Sequence, residues 1–191
     1  MNICMYGASS TDLDRIYYDA AEHLGRRIAA RGHGLVFGGG AQGLMGASVR
    51  GAAAGGGRTV GIAPRFFDKP GILYKECTEF IFTDTMRERK QLMEDLSDAF
   101  IMAPGGIGTY EEFFEILTLK QLGQLNKPIA VFNVNGYYDL LGSLLEKTVK
   151  EGFMKETCLN IFGIFGDADD MLDYIEREHK SPLDLSHLKN I

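Results

Sequence analysis

Short apolar runs alternate with longer segments of helical periodicity along most of the chain, and this alternation restricts the fold more than any other feature. The run at residues 3–6 is typical, because it enters a small-residue turn at 7–10 and a helical pattern follows from 14 to 31. Further strands are predicted at 34–37, 59–63, 79–83, 99–103, 128–132 and 161–165, and further helices at 44–54, 85–96, 109–121, 138–150 and 169–178.

Strands that alternate with helices of ten or more residues indicate a parallel sheet with both faces covered. The predicted fold is therefore α/β, a Rossmann-like doubly wound parallel sheet with helices on both faces. A chain of 191 residues suits one domain, which we place at residues 1–180, followed by a C-terminal tail at 181–191. Ligands of such sheets bind beyond the carboxyl ends of the strands, which favours the turns at 7–10, 38–43, 63–76 and 104–109.

Charge and composition exclude several classes of function. The net charge of −6 and a pI near 5.2 argue against binding to a nucleic-acid polymer, which requires a basic face. No apolar stretch reaches 18 residues, and the N-terminus lacks a basic region followed by an apolar run, so we expect no membrane attachment and a cytoplasmic location. The three cysteines and four histidines show no metal-ligand spacing, and we expect no metal and no cofactor.

Clustered glycine is the strongest local signal. The chain has 24 glycines in 191 residues, nearly twice the usual share of about 7%, and three of them, Gly105, Gly106 and Gly108, lie between an apolar strand and a helix. Glycine lets the backbone approach a ligand closely, and the first N–H groups of the helix are free to hold an anion. The segment matches neither a P-loop nor the fingerprint of dinucleotide-binding proteins.

The residues that follow these glycines have two interpretations. Thr109 and Glu112 have the spacing of a capping box, which would explain both as structural residues at the start of the helix. Glu111 has an equally simple explanation, since carboxylates in a first helical turn stabilise the helix dipole. Alternatively, these side chains belong to the ligand site that the glycines indicate.

A second glycine-rich segment covers residues 38–46 and also joins a strand to a helix. Gly39, Gly40 and Met45 belong to it. Its glycines could admit a sugar or base, or they could let the next helix pack tightly on the sheet, and the sequence favours neither interpretation. Ser9, in the turn after the first strand, adds a hydroxyl that could contact a phosphate.

An arginine lies on the apolar side of the helix predicted at 85–96. Met86, Arg89 and Met93 recur at positions i, i+3 and i+7 and so share one face of that helix. A guanidinium on this face either extends to the surface or pairs with a carboxylate at the edge of the core. The alternative is that Arg89 clamps a phosphate at the ligand edge.

Together these residues resemble the LOG (Lonely Guy) family of cytokinin riboside 5′-monophosphate phosphoribohydrolases, over roughly residues 2–180. Residues 104–112 match the family motif PGGxGTxxE, and Met86, Arg89 and Lys90 match its paired basic motif. The resemblance implies an enzyme that cleaves the N-glycosidic bond of an adenine nucleoside monophosphate, AMP or an N6-prenylated form, and releases the base and ribose 5-phosphate. Arg87 and Ile107 depart from the usual family pattern, which has histidine and an aromatic residue there.

The resemblance also implies the roles of individual residues. Arg89 and Glu112 would be catalytic, with Glu112 stabilising positive charge on the ribose and Arg89 holding the phosphate or another negative charge. The predicted substrate-binding residues are Glu76, Lys90, Gly105, Gly106, Ile107, Gly108, Thr109, Glu111, Thr118, Ser9, Gly39, Gly40 and Met45. A homodimer is implied, since many members are dimers. The alternative function is a non-catalytic carrier of a nucleotide or of molybdenum cofactor.

Overall fold

The computed structural model describes residues 1–180, and the predicted tail at 181–191 lies outside them. The described strands are β1 (Asn2–Tyr6), β2 (Gly34–Phe37), β3 (Thr59–Pro64), β4 (Glu79–Thr83), β5 (Ala99–Met102), β6 (Ile129–Phe132) and β7 (Gly163–Phe165). The described helices are α1 (Arg15–Ala30), α2 (Gly43–Ala54), α3 (Met86–Asp95), α4 (Ile107–Gln121), α5 (Asp139–Lys150) and α6 (Ala168–Lys180).

The strands form one parallel sheet in the order β4-β3-β2-β1-β5-β6-β7. Its two faces carry separate cores because successive side chains of a strand point in opposite directions. In β1, Ile3 and Met5 pack with α1, α2 and α6, whereas Cys4 and Tyr6 pack on the side of α3, α4 and α5. The Rossmann-like, doubly wound fold predicted from the sequence is confirmed.

The sheet has its switch point between β1 and β5. Strand β1 pairs with β2 on one side and with β5 on the other, so the connections that leave β1 and β5 diverge and open a crevice at their carboxyl ends. The two turns at this crevice touch directly, because the Ala8 amide donates to the Pro104 carbonyl at 3.0 Å. This crevice is where the topology places a ligand.

Candidate active site

A cleft of about 640 Å³ lies at this end of the sheet. The turns after β1, β2 and β5 contribute to its wall, together with α3 and the loop that follows β3. Its lining residues are Gly7, Ala8, Ser9, Gly38, Gly40, Gln42, Met45, Phe67, Lys69, Ile72, Leu73, Met86, Arg89, Gly106, Gly108, Thr109 and Glu112. Its size suits a small-molecule ligand.

The start of α3 sets the position of the arginine in this cleft. The Thr85 hydroxyl accepts a hydrogen bond from the Glu88 amide at 3.1 Å, and the Glu88 carboxylate accepts from the Thr85 amide at 3.3 Å, which is a capping box. The helix therefore begins at Met86, and Arg89 and Met93 fall on its buried face, as the apolar stripe predicted. Met86 itself lies at the edge of the cleft.

Arg89 and Glu112 form a buried ion pair. Arg89 Nη1 donates to Glu112 Oε1 at 2.7 Å, and the two residues are only 6% and 9% exposed. Arg89 Nε donates to the carbonyl of Ile62, within β3, at 3.3 Å. Separating the two side chains would leave a buried charge without a partner, which costs free energy. Each side chain therefore fixes the position of the other.

Burial and the arginine act in opposite directions on the Glu112 carboxylate. Desolvation raises the pKa of Glu112 above its ordinary value, and the Coulombic attraction and hydrogen bond of Arg89 offset part of that rise. The result is a carboxylate with one strong partner, placed on the wall of an open cleft. Carboxylates with shifted pKa values in clefts are typical of catalytic sites.

Gly38 makes room for the guanidinium. A Cβ atom at this position would lie 1.9 Å from Arg89 Nη2 and 3.0 Å from its Cζ. The arginine therefore rests directly against the backbone at the end of β2. The sequence favoured neither close ligand approach nor helix packing for this glycine segment. In the structure Gly38 and Gly40 line the cleft, while a Cβ at Gly43 would lie 2.3 Å from the Ala8 carbonyl oxygen, so the start of α2 packs closely on the turn after β1.

Helix α4 brings its N-terminus to the cleft. It begins at Ile107, two residues before the predicted start at 109, because Gly106 is the N-cap and makes no side-chain capping bond. Thr109 and Glu112 are thus inside the helix, and the capping-box interpretation of this pair is wrong. Gly106, Gly108 and Thr109 line the cleft, so the backbone amides of the first turn are near the space where a ligand would bind.

The loop after β3 closes one side of the cleft with residues that sequence reasoning missed. Phe67, Lys69, Ile72 and Leu73 all line it. The loop is tied to the second glycine segment by backbone bonds, from the Ala41 amide to the Ile72 carbonyl at 2.8 Å and through the Gly40–Leu73 bridge. The sequence placed the turn at 63–76 on the ligand side but named only Glu76 within it.

Comparisons with known proteins identify the family of this chain. The model of a family described as "possible lysine decarboxylase" matches residues 45–175. A cytokinin riboside 5′-monophosphate phosphoribohydrolase of Arabidopsis thaliana is 38% identical over 174 residues, which are 91% of this chain and 82% of that protein. A second enzyme of the same name from Arabidopsis thaliana is 37% identical and covers 93% of this chain and 85% of its own.

The chain belongs to the LOG family. Among solved structures, a molybdenum cofactor binding protein from Rippkaea orientalis has the same fold, with a TM-score of 0.72, 22% identity and coverage of 92% of this chain and 95% of its own. This likeness shows the fold alone. The family resemblance predicted from the sequence is confirmed.

Only some of the residues that the LOG resemblance implies meet in the cleft. Arg89 and Glu112 do, and so do six of the predicted binding residues: Ser9, Gly40, Met45, Gly106, Gly108 and Thr109. Gly39 is buried beside the cleft, where an added Cβ would meet Ala63 and Phe80. Gly105 is also buried, and its carbonyl accepts a bond from Tyr137.

The remaining predicted residues lie outside this cleft. Lys90 pairs with Glu111 and with Glu115, the latter at 2.9 Å, on the outer side of α3 and α4. Thr118 and Glu76 are exposed, and Ile107 is 83% exposed. Their assignment as substrate-binding residues stays a prediction.

No helix within residues 1–180 is long and apolar enough to cross a membrane.

Proposed function

We propose that this protein is a hydrolase that cleaves the N-glycosidic bond of adenine nucleoside 5′-monophosphates and releases the free base and ribose 5-phosphate. The buried Arg89–Glu112 pair on the cleft wall is the observation that carries this proposal. The names of the relatives, at 38% and 37% identity over most of the chain, support the same reaction.

The residues of the cleft suit the chemistry of this bond. As the bond from the sugar C1′ to the base nitrogen breaks, its electron pair leaves with the base and positive charge develops on the ribose. The carboxylate of Glu112 stabilises that charge and orients the water whose oxygen bonds to C1′. One proton of this water ends on the nitrogen of the departing base, which leaves as the neutral free base. A metal ion has no role in this scheme.

Arg89 first acts on the ionisation of Glu112. Burial raises the pKa of Glu112, and the guanidinium offsets part of that rise, so Arg89 favours the ionised carboxylate that can stabilise a cation. Its other N–H groups are close to the cleft and can attract the substrate phosphate or another developing negative charge. The amides of Gly106 and Gly108 at the start of α4 would hold the 5′-phosphate.

Binding of the 5′-phosphate explains why a nucleotide should be a better substrate than a nucleoside. Its binding energy is remote from the bond that breaks and serves to orient the sugar over Glu112, so we expect nucleotides to react faster than nucleosides. Apolar side chains of Met45, Ile72 and Leu73 form the part of the wall suited to the base. Both AMP and an N6-prenylated AMP fit the proposal.

Incubation with AMP and with N6-isopentenyl-AMP, followed by chromatography of the free base, tests the proposal. Release of adenine or of the prenylated base with an equal amount of ribose 5-phosphate is the expected result. Binding without release would support the alternative, a carrier of a nucleotide or of molybdenum cofactor, whose fold this chain shares. Profiling AMP, GMP, CMP and the prenylated analogue then defines the base preference.

We also propose that the protein is a homodimer. Ile107 on α4 is 83% exposed, and Leu140 and Leu144 on α5 are 84% and 56% exposed, so both helices present apolar side chains to solvent. Light scattering on the eluting protein should give twice the 21.1 kDa of one chain, and a mass of one chain at micromolar concentration would contradict the dimer. Three free thiols and a net charge of −6 are consistent with a cytoplasmic protein that does not bind nucleic-acid polymers.

A further inference from the structure

Three consecutive carbonyls lead into α4, and a donor from elsewhere in the chain bonds each of them. The Ala103 carbonyl accepts from the Tyr138 hydroxyl at 2.8 Å, the Pro104 carbonyl from the Ala8 amide at 3.0 Å, and the Gly105 carbonyl from the Tyr137 hydroxyl at 2.8 Å. Neither tyrosine belongs to the family motif or to the cleft wall. Both come from the connection between β6 and α5.

Fixing a carbonyl also fixes the amide that follows it. In a trans peptide the C=O of one residue and the N–H of the next point in opposite directions. The bond from Tyr137 to the Gly105 carbonyl therefore turns the Gly106 amide away from Tyr137. Gly106 is the N-cap of α4 and lines the cleft, so its amide is among the groups that could meet an anion there.

The Tyr137 ring is held independently of this hydrogen bond. It makes edge contacts with Tyr17 of α1 at 5.9 Å and with Tyr138 at 4.8 Å between ring centroids. The connection between β6 and α5 that carries Tyr137 is fixed by Asn133, whose side-chain oxygen accepts a hydrogen bond from the Tyr138 amide at 2.6 Å. Removing only the hydroxyl should therefore leave the ring and the fold in place.

We propose that Tyr137 is a positioning residue that orients the Gly106 amide toward the phosphate of the substrate through the Gly105 carbonyl. This inference rests on the proposed function, in which the start of α4 holds the 5′-phosphate. Without the hydroxyl, the peptide between Gly105 and Gly106 is free to rotate, and the amide must be ordered when the phosphate binds. The loss therefore affects substrates that carry a phosphate and spares the cleavage of a nucleoside.

The variant Tyr137→Phe tests this role, and Tyr174→Phe is its matched control. Both changes remove one hydroxyl from a tyrosine, but the buried Tyr174 hydroxyl has no hydrogen-bond partner within the described residues. Titration calorimetry with ribose 5-phosphate and with inorganic phosphate should show binding weakened about three- to tenfold in Tyr137→Phe, the usual effect of one hydrogen bond. Tyr174→Phe should bind both as the wild type does.

Kinetics separate positioning from a general loss of structure. Tyr137→Phe should raise KM for AMP by the same three- to tenfold, whereas the turnover of adenosine should match that of the wild type and circular dichroism should show a folded protein. An equal loss with AMP and adenosine would overturn the inference, as would wild-type affinity for ribose 5-phosphate in Tyr137→Phe. If the wild-type protein binds ribose 5-phosphate through Tyr137 but releases no base, the proposed function fails and the role of Tyr137 in phosphate binding stands.

Discussion

The substitution Gly38→Ala tests whether the position of the Arg89 guanidinium matters for function. Gly38 is not among the glycines with positive φ, so alanine can adopt its backbone conformation. The added Cβ would lie 1.9 Å from Arg89 Nη2, whereas a carbon and a nitrogen in contact need about 3.4 Å. The guanidinium must therefore move by about 1.5 Å.

A displacement of this size breaks the contact between Arg89 and Glu112. The bond is 2.7 Å long, and an N–H···O bond weakens beyond about 3.2 Å. A misplacement of about 1 Å in a catalytic group can lower the rate about 100-fold, which corresponds to about 2.7 kcal/mol of transition-state stabilisation. We therefore expect kcat/KM for AMP to fall about 100-fold in Gly38→Ala.

Release of adenine from AMP, measured by chromatography at several substrate concentrations, gives this ratio. The control is Gly142→Ala in α5, where an added Cβ would meet only the tip of Ile164 at 3.7 Å. Circular dichroism and thermal melting show whether each variant is folded. Wild-type turnover in a folded Gly38→Ala protein would refute the reasoning, because the ion pair would then be dispensable or the clash relieved at no cost.

Two further predictions concern acidity and helix α3. Burial raises the pKa of Glu112, and the proposed reaction needs its carboxylate form. We therefore expect kcat/KM for AMP to fall as the pH drops through a value above the ordinary pKa of glutamate. A fall that begins only at or below that ordinary pKa would contradict this prediction. Thr85→Ala removes the capping box of α3 and should lower the free energy of unfolding by about 1 kcal/mol in denaturant titrations. Thr148→Ala is its control, since that hydroxyl bonds only a carbonyl within its own helix, and equal effects of the two changes would argue against the cap.

Much of the fold was predictable because its signals are local. Each strand and helix has its own periodicity, and the stripe of Met86, Arg89 and Met93 correctly placed the arginine on the buried face of α3. Its partner was predictable only from the family motif, since Glu112 lies 23 residues away and no periodicity connects the two helices. The geometry of the pair depends on the order of the strands.

The pattern T-x-x-E occurs three times, at Thr85, Thr109 and Thr148, and shows what a motif alone leaves open. Thr85 and Glu88 form a capping box, whereas Thr109 and Glu112 do not, because Gly106 begins α4 before Thr109 is reached. From the sequence, the capping-box interpretation applied only to Thr109 and Glu112.

The cleft wall formed by the loop after β3 was also missed. Its attachment through the Ala41 amide and the Ile72 carbonyl uses backbone groups that every sequence has, so no pattern of side chains reveals it. Tyr137 was missed for a related reason, since its hydroxyl bonds the backbone carbonyl of Gly105, 32 residues away in the chain.

The steady-state cleavage of AMP by Glu112→Gln tests the central claim most directly. Glutamine keeps the size of the side chain and can still accept a bond from Arg89, but it has no charge with which to stabilise a cation on the ribose. Glu151→Gln, at an exposed carboxylate after α5, is the control for the same chemical change. The account predicts that adenine release falls at least about 100-fold in Glu112→Gln while Glu151→Gln matches the wild type. Undiminished adenine release by a folded Glu112→Gln protein would contradict it.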